Sequence, residues 1–236
     1  MNRPPESVRE MIEQNAETDK FKAGMRDSLR LETKNSKAIK IKKDANVYMA
    51  GDEIELVYFI ESGEVKLSMI SSEGKECLLA IHGAGDIFGE LCMSGLTGRT
   101  ETATAMEETQ LKQIPCEQFL NRLATDSLLV GFIKYLTVRV SDQQEVIANL
   151  VTVDSEQRLG QTLLQIARKH GKKDPRSIRI ELRITHEELG KMVGTTRPRI
   201  SLFMQRFHHL GLIETSVEHH LIVKERKLMA YLDTIV

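Results

Sequence analysis

The sequence is short of three things, and each shortage removes a class of function. Cysteine comes first: three residues in 236, Cys77, Cys92 and Cys116, scattered and odd in number. They form no CxxC pair and no disulfide framework, so they read as small, semi-buried hydrophobes. Long apolar runs come second. No stretch approaches the roughly 20 residues of a membrane span. The opening "MNRPPESVREMIEQNAETDK" has no apolar core of a signal peptide, so the expected location is cytoplasmic. Histidine in the first half comes third. His82 stands alone before residue 154, and a jelly-roll dioxygenase needs two or three histidines and a carboxylate around its metal. An enzyme is not expected.

Charge is balanced only on average. The net value of −1 covers an uneven chain. Residues 155–236 carry fifteen basic and nine acidic side chains, while residues 1–154 carry eighteen basic and twenty-five acidic. An acidic first part and a basic last part suggest that the C-terminal segment meets a polyanion.

Residues 1–37 are polar, and their pattern leaves open an amphipathic arm or a loosely ordered leader. From Ala38 to residue 125 short β-rich runs alternate with turns at Gly51-Asp52, Ser62-Gly63-Glu64, Glu73-Gly74-Lys75 and Gly83-Ala84-Gly85-Asp86. That texture predicts an antiparallel sandwich or barrel, with "GEVKLSMIS" and "KECLLAIH" as a hairpin. Within it, "GDIFGELCMSGLTGRT" sets four glycines around Glu90 and Arg99, a pattern suited to holding a small anion. At Asp126 the period changes. Ile133, Leu136, Val140, Gln143, Ile147 and Leu150 form an a/d seam on a helix expected from Ser127 to Thr152, about 39 Å long. A narrow seam on so long a helix predicts a homodimer. The polar Gln143 then fixes register or faces a ligand.

Residues 154–236 read as a winged helix-turn-helix. "SEQRLGQTLLQIARKHG" is a helix bearing Leu159, Leu163 and Ile166, "KKDPRS" a polar connection, and "IRIELRI" a short strand. Thr185 with Glu188 forms a capping box before Leu189, Met192 and Val193, and Gly194 ends that helix. Thr195-Thr196 caps a second helix whose inner side carries Ile200, Phe203, Met204 and Phe207. Its outer side shows Arg197, Arg199, Ser201, Gln205 and Arg206, side chains suited to phosphates and base edges. "GLIETSVEHHLIV" supplies the wing. His208-His209 and His219-His220 fall on surface or wing positions without metal-ligand spacing.

Three motifs in this order resemble the cyclic AMP receptor protein/FNR (CRP/FNR) family of bacterial transcription regulators: "GDIFGEL…GRT", "NLVTVDSEQRLGQTLLQIA" and "ITHEELGKMVGTTRPRIS". The likeness runs from about residue 38 to the C-terminus. It implies an α+β chain: an N-terminal jelly-roll of the cyclic-nucleotide-binding type (38–125), a dimerisation helix (126–153) and a winged helix-turn-helix (154–236). It implies a cyclic nucleotide held by Gly89, Glu90, Leu91, Arg99 and Thr100, with Gln143 and Gln144 at the base. Cyclic AMP is favoured on family frequency, with cyclic GMP or no ligand as alternatives. A ligand-independent or differently gated regulator with a vestigial pocket is the competing reading. Toward DNA it implies Thr185, Thr195, Thr196, Arg197, Arg199, Ser201, Gln205 and Arg206, a two-fold palindromic operator, and RNA polymerase among the partners. Arg197 falls where the family reads guanine. Pro198 and Leu202 depart from the best-known member's glutamate and second arginine, so the family's usual half-site does not carry over by default. An iron–sulfur cluster is disfavoured by the three scattered cysteines, and His82 alone is a weak case for haem.

Overall fold

In the computed structural model, residues 6–31, 36–95 and 97–235 are described, without the side chains of 6–15 and Leu31. The elements follow in chain order: α1 (Glu6–Leu31), β1 (Lys37–Ile41), β2 (Asn46–Tyr48), β3 (Leu56–Ser62), β4 (Val65–Ile70), β5 (Glu76–His82), β6 (Ile87–Phe88), β7 (Thr102–Ala105), β8 (Thr109–Pro115), α2 (Cys116–Thr125), α3 (Leu129–Thr152), α4 (Ser155–His170), β9 (Gly171–Asp174), β10 (Ser177–Ile180), α5 (His186–Val193), α6 (Arg197–His209), β11 (Ile213–Thr215), β12 (Leu221–Val223) and α7 (Glu225–Leu232). A 3-10 helix, Glu90–Ser94, follows β6. The chain divides into two compact units. One is Met1–Met69 with Ile81–Glu145, the other Ile70–Ala80 with Val146–Val236.

The first unit is built on the four-stranded sheet β1-β8-β3-β6 and on strands β2-β7-β4 of a second sheet. The strand pairings resolved in them are antiparallel. Strand β3 shows how the layers arise. With side chains alternating across the sheet, Tyr58 and Ile60 join Tyr48, Val65, Leu67, Phe88, Ala103 and Leu111 in one core cluster. Val57 and Phe59 join Ile87 and Ile114 in a second, which the helices cover with Phe119, Leu123, Phe132 and Tyr135. Both faces of β3 are buried, which is why its sequence, "LVYFI", is continuously apolar.

The polar N-terminal arm is a helix of 26 residues. Phe21, Met25 and Leu29, each one turn from the next, enter the second cluster at 3%, 0% and 1% exposure. Polar contacts fix the helix further. Lys22 Nζ lies 2.7 Å from Asp86, Lys134 Nζ bonds Glu17 at 2.7 Å, Arg122 Nη1 donates to Ser28 O at 2.9 Å, and Ser28 donates to Asp126. Glycines let α1 pack closely: a Cβ at Gly131 on α3 would meet Phe21 at 3.1 Å, and one at Gly24 on α1 would meet Leu128 at 2.8 Å. Residues 1–5 and 32–35 of the predicted arm lie outside the described residues.

Two readings of the sequence are corrected here. Helix α2 sits inside the stretch expected to be all β, because Phe119 and Leu123 share one buried face. Cys77 is exposed rather than semi-buried: it points outward on β5, between the half-buried Glu76 and the buried Leu78. Cys116 and Cys92, far apart in sequence, lie close enough to influence each other.

In the second unit α4 begins at a full capping box. Asp154 Oδ1 accepts from Glu156 N and Gln157 N at 2.8 and 2.9 Å, and Gln157 Oε1 accepts from Asp154 N. Its buried face carries Leu159, Leu163, Leu164, Ile166 and Ala167. The sheet runs β11-β12-β10-β9. The predicted polar connection after α4 is largely strand: Gly171 is extended and opens β9, which pairs with β10 from Gly171↔Ile180 to Asp174↔Ser177.

Candidate functional site

The anion cassette is assembled by a turn at the end of β6. Gly89 has φ +79° and precedes the 3-10 helix. A side chain there would crowd Leu56 O at 3.0 Å and Arg99 Nη1 at 3.1 Å, so glycine is required twice over. Arg99 is 6% exposed and lies over the Tyr48 ring, 4.3 Å from its centroid. Its Nη1 donates to Gly89 O at 2.6 Å and its Nη2 to Leu56 O, while Nε has no acceptor. Gly89, Glu90, Arg99 and Thr100 are thus brought together. Leu91, on the 3-10 helix, is 48% exposed.

Three partners at this site had no signal in the sequence. Glu90 Oε1 lies 2.9 Å from Arg139 Nη1 of α3, and Glu90 Oε2 is buried with no hydrogen bond. Burial opposes the charge on Arg139, yet Glu90 beside it holds the guanidinium pKa above its ordinary value. Thr100 Oγ1 donates to Glu101 Oε2 at 2.6 Å, and Tyr48 OH donates to Glu101 Oε1 at 2.7 Å. Burial, then the Glu101 charge, pushes the Tyr48 phenol upward, so it stays protonated and donates to that carboxylate. Tyr58 and Phe88 stack at 5.0 Å beside Tyr48, filling the space between the sheets with aromatic rings. Gln143 and Gln144 are exposed on α3, beyond Arg139.

A buried chain of charges leads away from the cassette. Tyr135, of α3, sits near Ile87 and Asp86, its OH 3.4 Å from Asp86 Oδ1. Asp86 in turn meets Lys22 of α1. His82 is fully buried, stacked on Phe88 with its Nδ1 3.8 Å from Asp86, which makes it a core histidine. Burial first, and then Cys116, pushes the Cys92 thiol up to about 12, so it stays a protonated, unreactive thiol.

The surface expected to face DNA lies on α5, α6 and the β11–β12 wing. Thr185 caps α5: Glu188 N donates to Thr185 Oγ1 at 3.1 Å, and Thr185 N and Oγ1 donate to Glu188 Oε2, each at 2.9 Å. Gly194 is left-handed (φ 72°, ψ 42°), and Gly190 lets the turn close, since a Cβ on it would stand 2.9 Å from Thr195 O. Thr196 occupies the N-cap of α6 without a side-chain bond, and Pro198 sits in the first turn, where no N–H is missed. Ile200, Met204 and Phe207 are buried, whereas Arg197, Arg199, Leu202, Gln205 and Arg206 are exposed. Besides Thr185, two more predicted contact residues already have partners. Ser201 Oγ is 2.9 Å from His186 Nδ1, and Arg206 Nη1 bonds Glu156 at 2.8 Å, an acid also held by Tyr231 OH. Burial first, then the Arg197 and His208 charges, lowers the His186 pKa, which keeps that ring neutral near pH 7. Among the described residues no group of three or more His, Cys, Asp or Glu is placed to hold a metal ion. No described helix is long and apolar enough to cross a membrane.

A β-rich domain with a phosphate-type cassette, followed by a winged helix-turn-helix, defines a DNA-binding transcription regulator. Family models agree: residues 38–126 match the cyclic nucleotide-binding domain and residues 157–231 the Crp-like helix-turn-helix domain. The chain belongs to the CRP/FNR family of transcription regulators. Members of this family are regulators, not enzymes. Among its relatives is the CRP-like cAMP-activated global transcriptional regulator of Mycobacterium tuberculosis, 26% identical over 197 residues, which cover 83% of this chain and 88% of that protein. Another is the fumarate and nitrate reduction regulatory protein of Vibrio cholerae, 28% identical over 195 residues, covering 80% and 76%. Of solved structures, a mutant of CooA from Carboxydothermus hydrogenoformans superposes with a TM-score of 0.72 at 29% identity, covering 86% of this chain and 93% of that one.

Proposed function

We propose that this regulator acts as a homodimer on a two-fold palindromic operator and that a cyclic nucleotide, cyclic AMP in the first instance, gates it from the barrel. One observation carries the ligand reading. The cassette holds a buried acceptor, Glu90 Oε2, and a buried donor, Arg99 Nε, that no residue satisfies. Buried polar groups are ordinarily paired, so an orphan donor and acceptor in one cassette suit a ligand that brings both an anion and a hydroxyl. A phosphate would draw the Arg99 fork off Gly89 O and Leu56 O. A ribose hydroxyl would occupy Glu90 and loosen Arg139. Because Arg139 lies on α3 one turn before Gln143, binding would be felt on the dimer helix. The dimer reading rests on the seam: Ile133, Val140, Ile147 and Leu150 are 52%, 51%, 63% and 49% exposed, an apolar row too costly to leave in water.

A second reading is favoured by Glu101. This carboxylate, 2% exposed, takes the Thr100 hydroxyl expected to face phosphate, and the three aromatic rings crowd the same interior. It supports a regulator whose pocket is filled by its own side chains. Calorimetry with cyclic AMP and cyclic GMP, paired with DNA affinity with and without each, separates the two. Heat with cyclic AMP that vanishes in Arg99→Ala, together with a ligand-dependent change in DNA affinity, is the expected result. No heat with either nucleotide and unchanged DNA affinity would establish the self-filled pocket. Ile147→Lys is expected to give a monomer by sedimentation with an unchanged helical signal.

A further inference from the structure

We propose that Leu202 is a sequence-reading residue and that it recognises the 5-methyl group of a thymine in each half-site. The inference rests on the DNA-binding function of α6, and its two-fold count on the dimer. Leu202 is 62% exposed, on the opposite side of α6 from the buried Ile200, Met204 and Phe207. It stands six residues into the helix, within the first two turns. Its neighbours on the exposed side are Arg199 one turn before and Gln205 and Arg206 one turn after, all exposed. Leu202, with only Pro198 apolar beside it one turn before and cations and an amide around the two, is too small a patch for a protein partner. It is a good fit to the major groove. There the flanking cations meet phosphates and base acceptors, and the thymine methyl is the one apolar group a base edge presents. An arginine in this place would select a guanine. Leucine cannot accept or donate, so it discriminates only by burying carbon against carbon and by leaving a polar base edge unpaired if the wrong base stands opposite.

The magnitude follows from the area lost. Burying one methyl group contributes about 0.8 kcal/mol, a factor of about four, so two half-sites together give about fifteenfold.

The full chain, with and without cyclic AMP, is used to select duplexes from a random library. Each thymine of the selected half-site is then replaced by deoxyuridine, which removes the methyl and keeps the base pair. The expected result is one thymine position per half-site at which the double replacement weakens binding about fifteenfold. Leu202→Ala should lose that sensitivity at that position alone, with its thermal melt unchanged. Leu202→Met should keep most of it. The proposal is overturned if no thymine replacement weakens the wild-type chain by twofold, or if Leu202→Ala retains the wild-type sensitivity. Should Leu202→Ala bind no duplex while folding normally, Leu202→Met decides. Retained methyl sensitivity upholds the proposal, and binding indifferent to the methyl ends it. A chain that selects no sequence under either condition would overturn the operator-binding reading along with this one.

Discussion

Glu64 shows how a single side chain can carry a cost that the fold tolerates. Burial, and then the neighbouring Glu107, pushes its carboxyl up to about 7 from an ordinary value of 4.5. Between those two pH values the folded chain holds the proton that the unfolded chain has released. Stability tied to this group is therefore greatest below 4.5 and is lost as pH rises toward 7. Glu64 is only half-buried, so screening trims the loss to about 1–2 kcal/mol. Glu64→Gln is expected to raise the melting temperature at pH 8 and leave it unchanged at pH 4, read by scanning calorimetry at both. At the same scale, the cassette residues were legible in the sequence while their partners were not. Gly89, Glu90, Arg99 and Thr100 follow one another along a single loop. Arg139 reaches Glu90 from a helix nearly fifty positions later, and Glu101, adjacent to Thr100, gives no hint that its carboxylate turns inward to Tyr48. Ion pairs across elements depend on packing, and packing has no period to read.

Among the elements, the regular ones declared themselves and the irregular ones did not. The capping box at Thr185 and the left-handed Gly194 are local patterns, and both stand where the spacing predicts, whereas of the residues spaced as a seam on α3, Leu136 packs on the second core cluster while Ile133, Val140, Ile147 and Leu150 stay exposed. Helix α1 is different. Over residues 16–30 its large apolar side chains are Phe21, Met25 and Leu29, so the hydrophobic stripe there is one residue per turn and too thin to assign by pattern. What makes it a helix is the second core cluster, which those three residues complete. Met25→Ala, which empties a fully buried position, is expected to destabilise the first unit by about 2–5 kcal/mol in urea denaturation. Helix α2 is illegible in the sequence for a related reason: ten residues with only two buried apolar positions, Phe119 and Leu123, look no different from a strand and its turn. In the reading head, Gly194→Ala is expected to cost about 1 kcal/mol, because it forces a Cβ into left-handed backbone.

For the whole molecule, the charge division read from composition becomes a statement about affinity. The basic excess falls in residues 155–236, the part that carries the helix-turn-helix. DNA affinity should fall steeply with salt, with a slope of about −0.9 for each phosphate neutralised. If Arg199 meets a phosphate, Arg199→Ala reduces that slope by about one and weakens all sequences alike. If it meets a base, the slope holds and the preference at one position relaxes. Titrations at several salt concentrations distinguish these outcomes. The closed cassette has a bearing on the cell as well. Arg99 and Glu90 are occupied by the chain's own carbonyls and by Arg139, so any effector competes with an internal rival before it makes a contact. Apparent affinity is lowered by the fraction of molecules that are open at any moment. Under the proposed nucleotide gating, this self-bonding would make the regulator ignore background concentrations of its signal and respond only to a surge, so the same contacts that hold Arg99 and Glu90 would set the alarm level of the circuit.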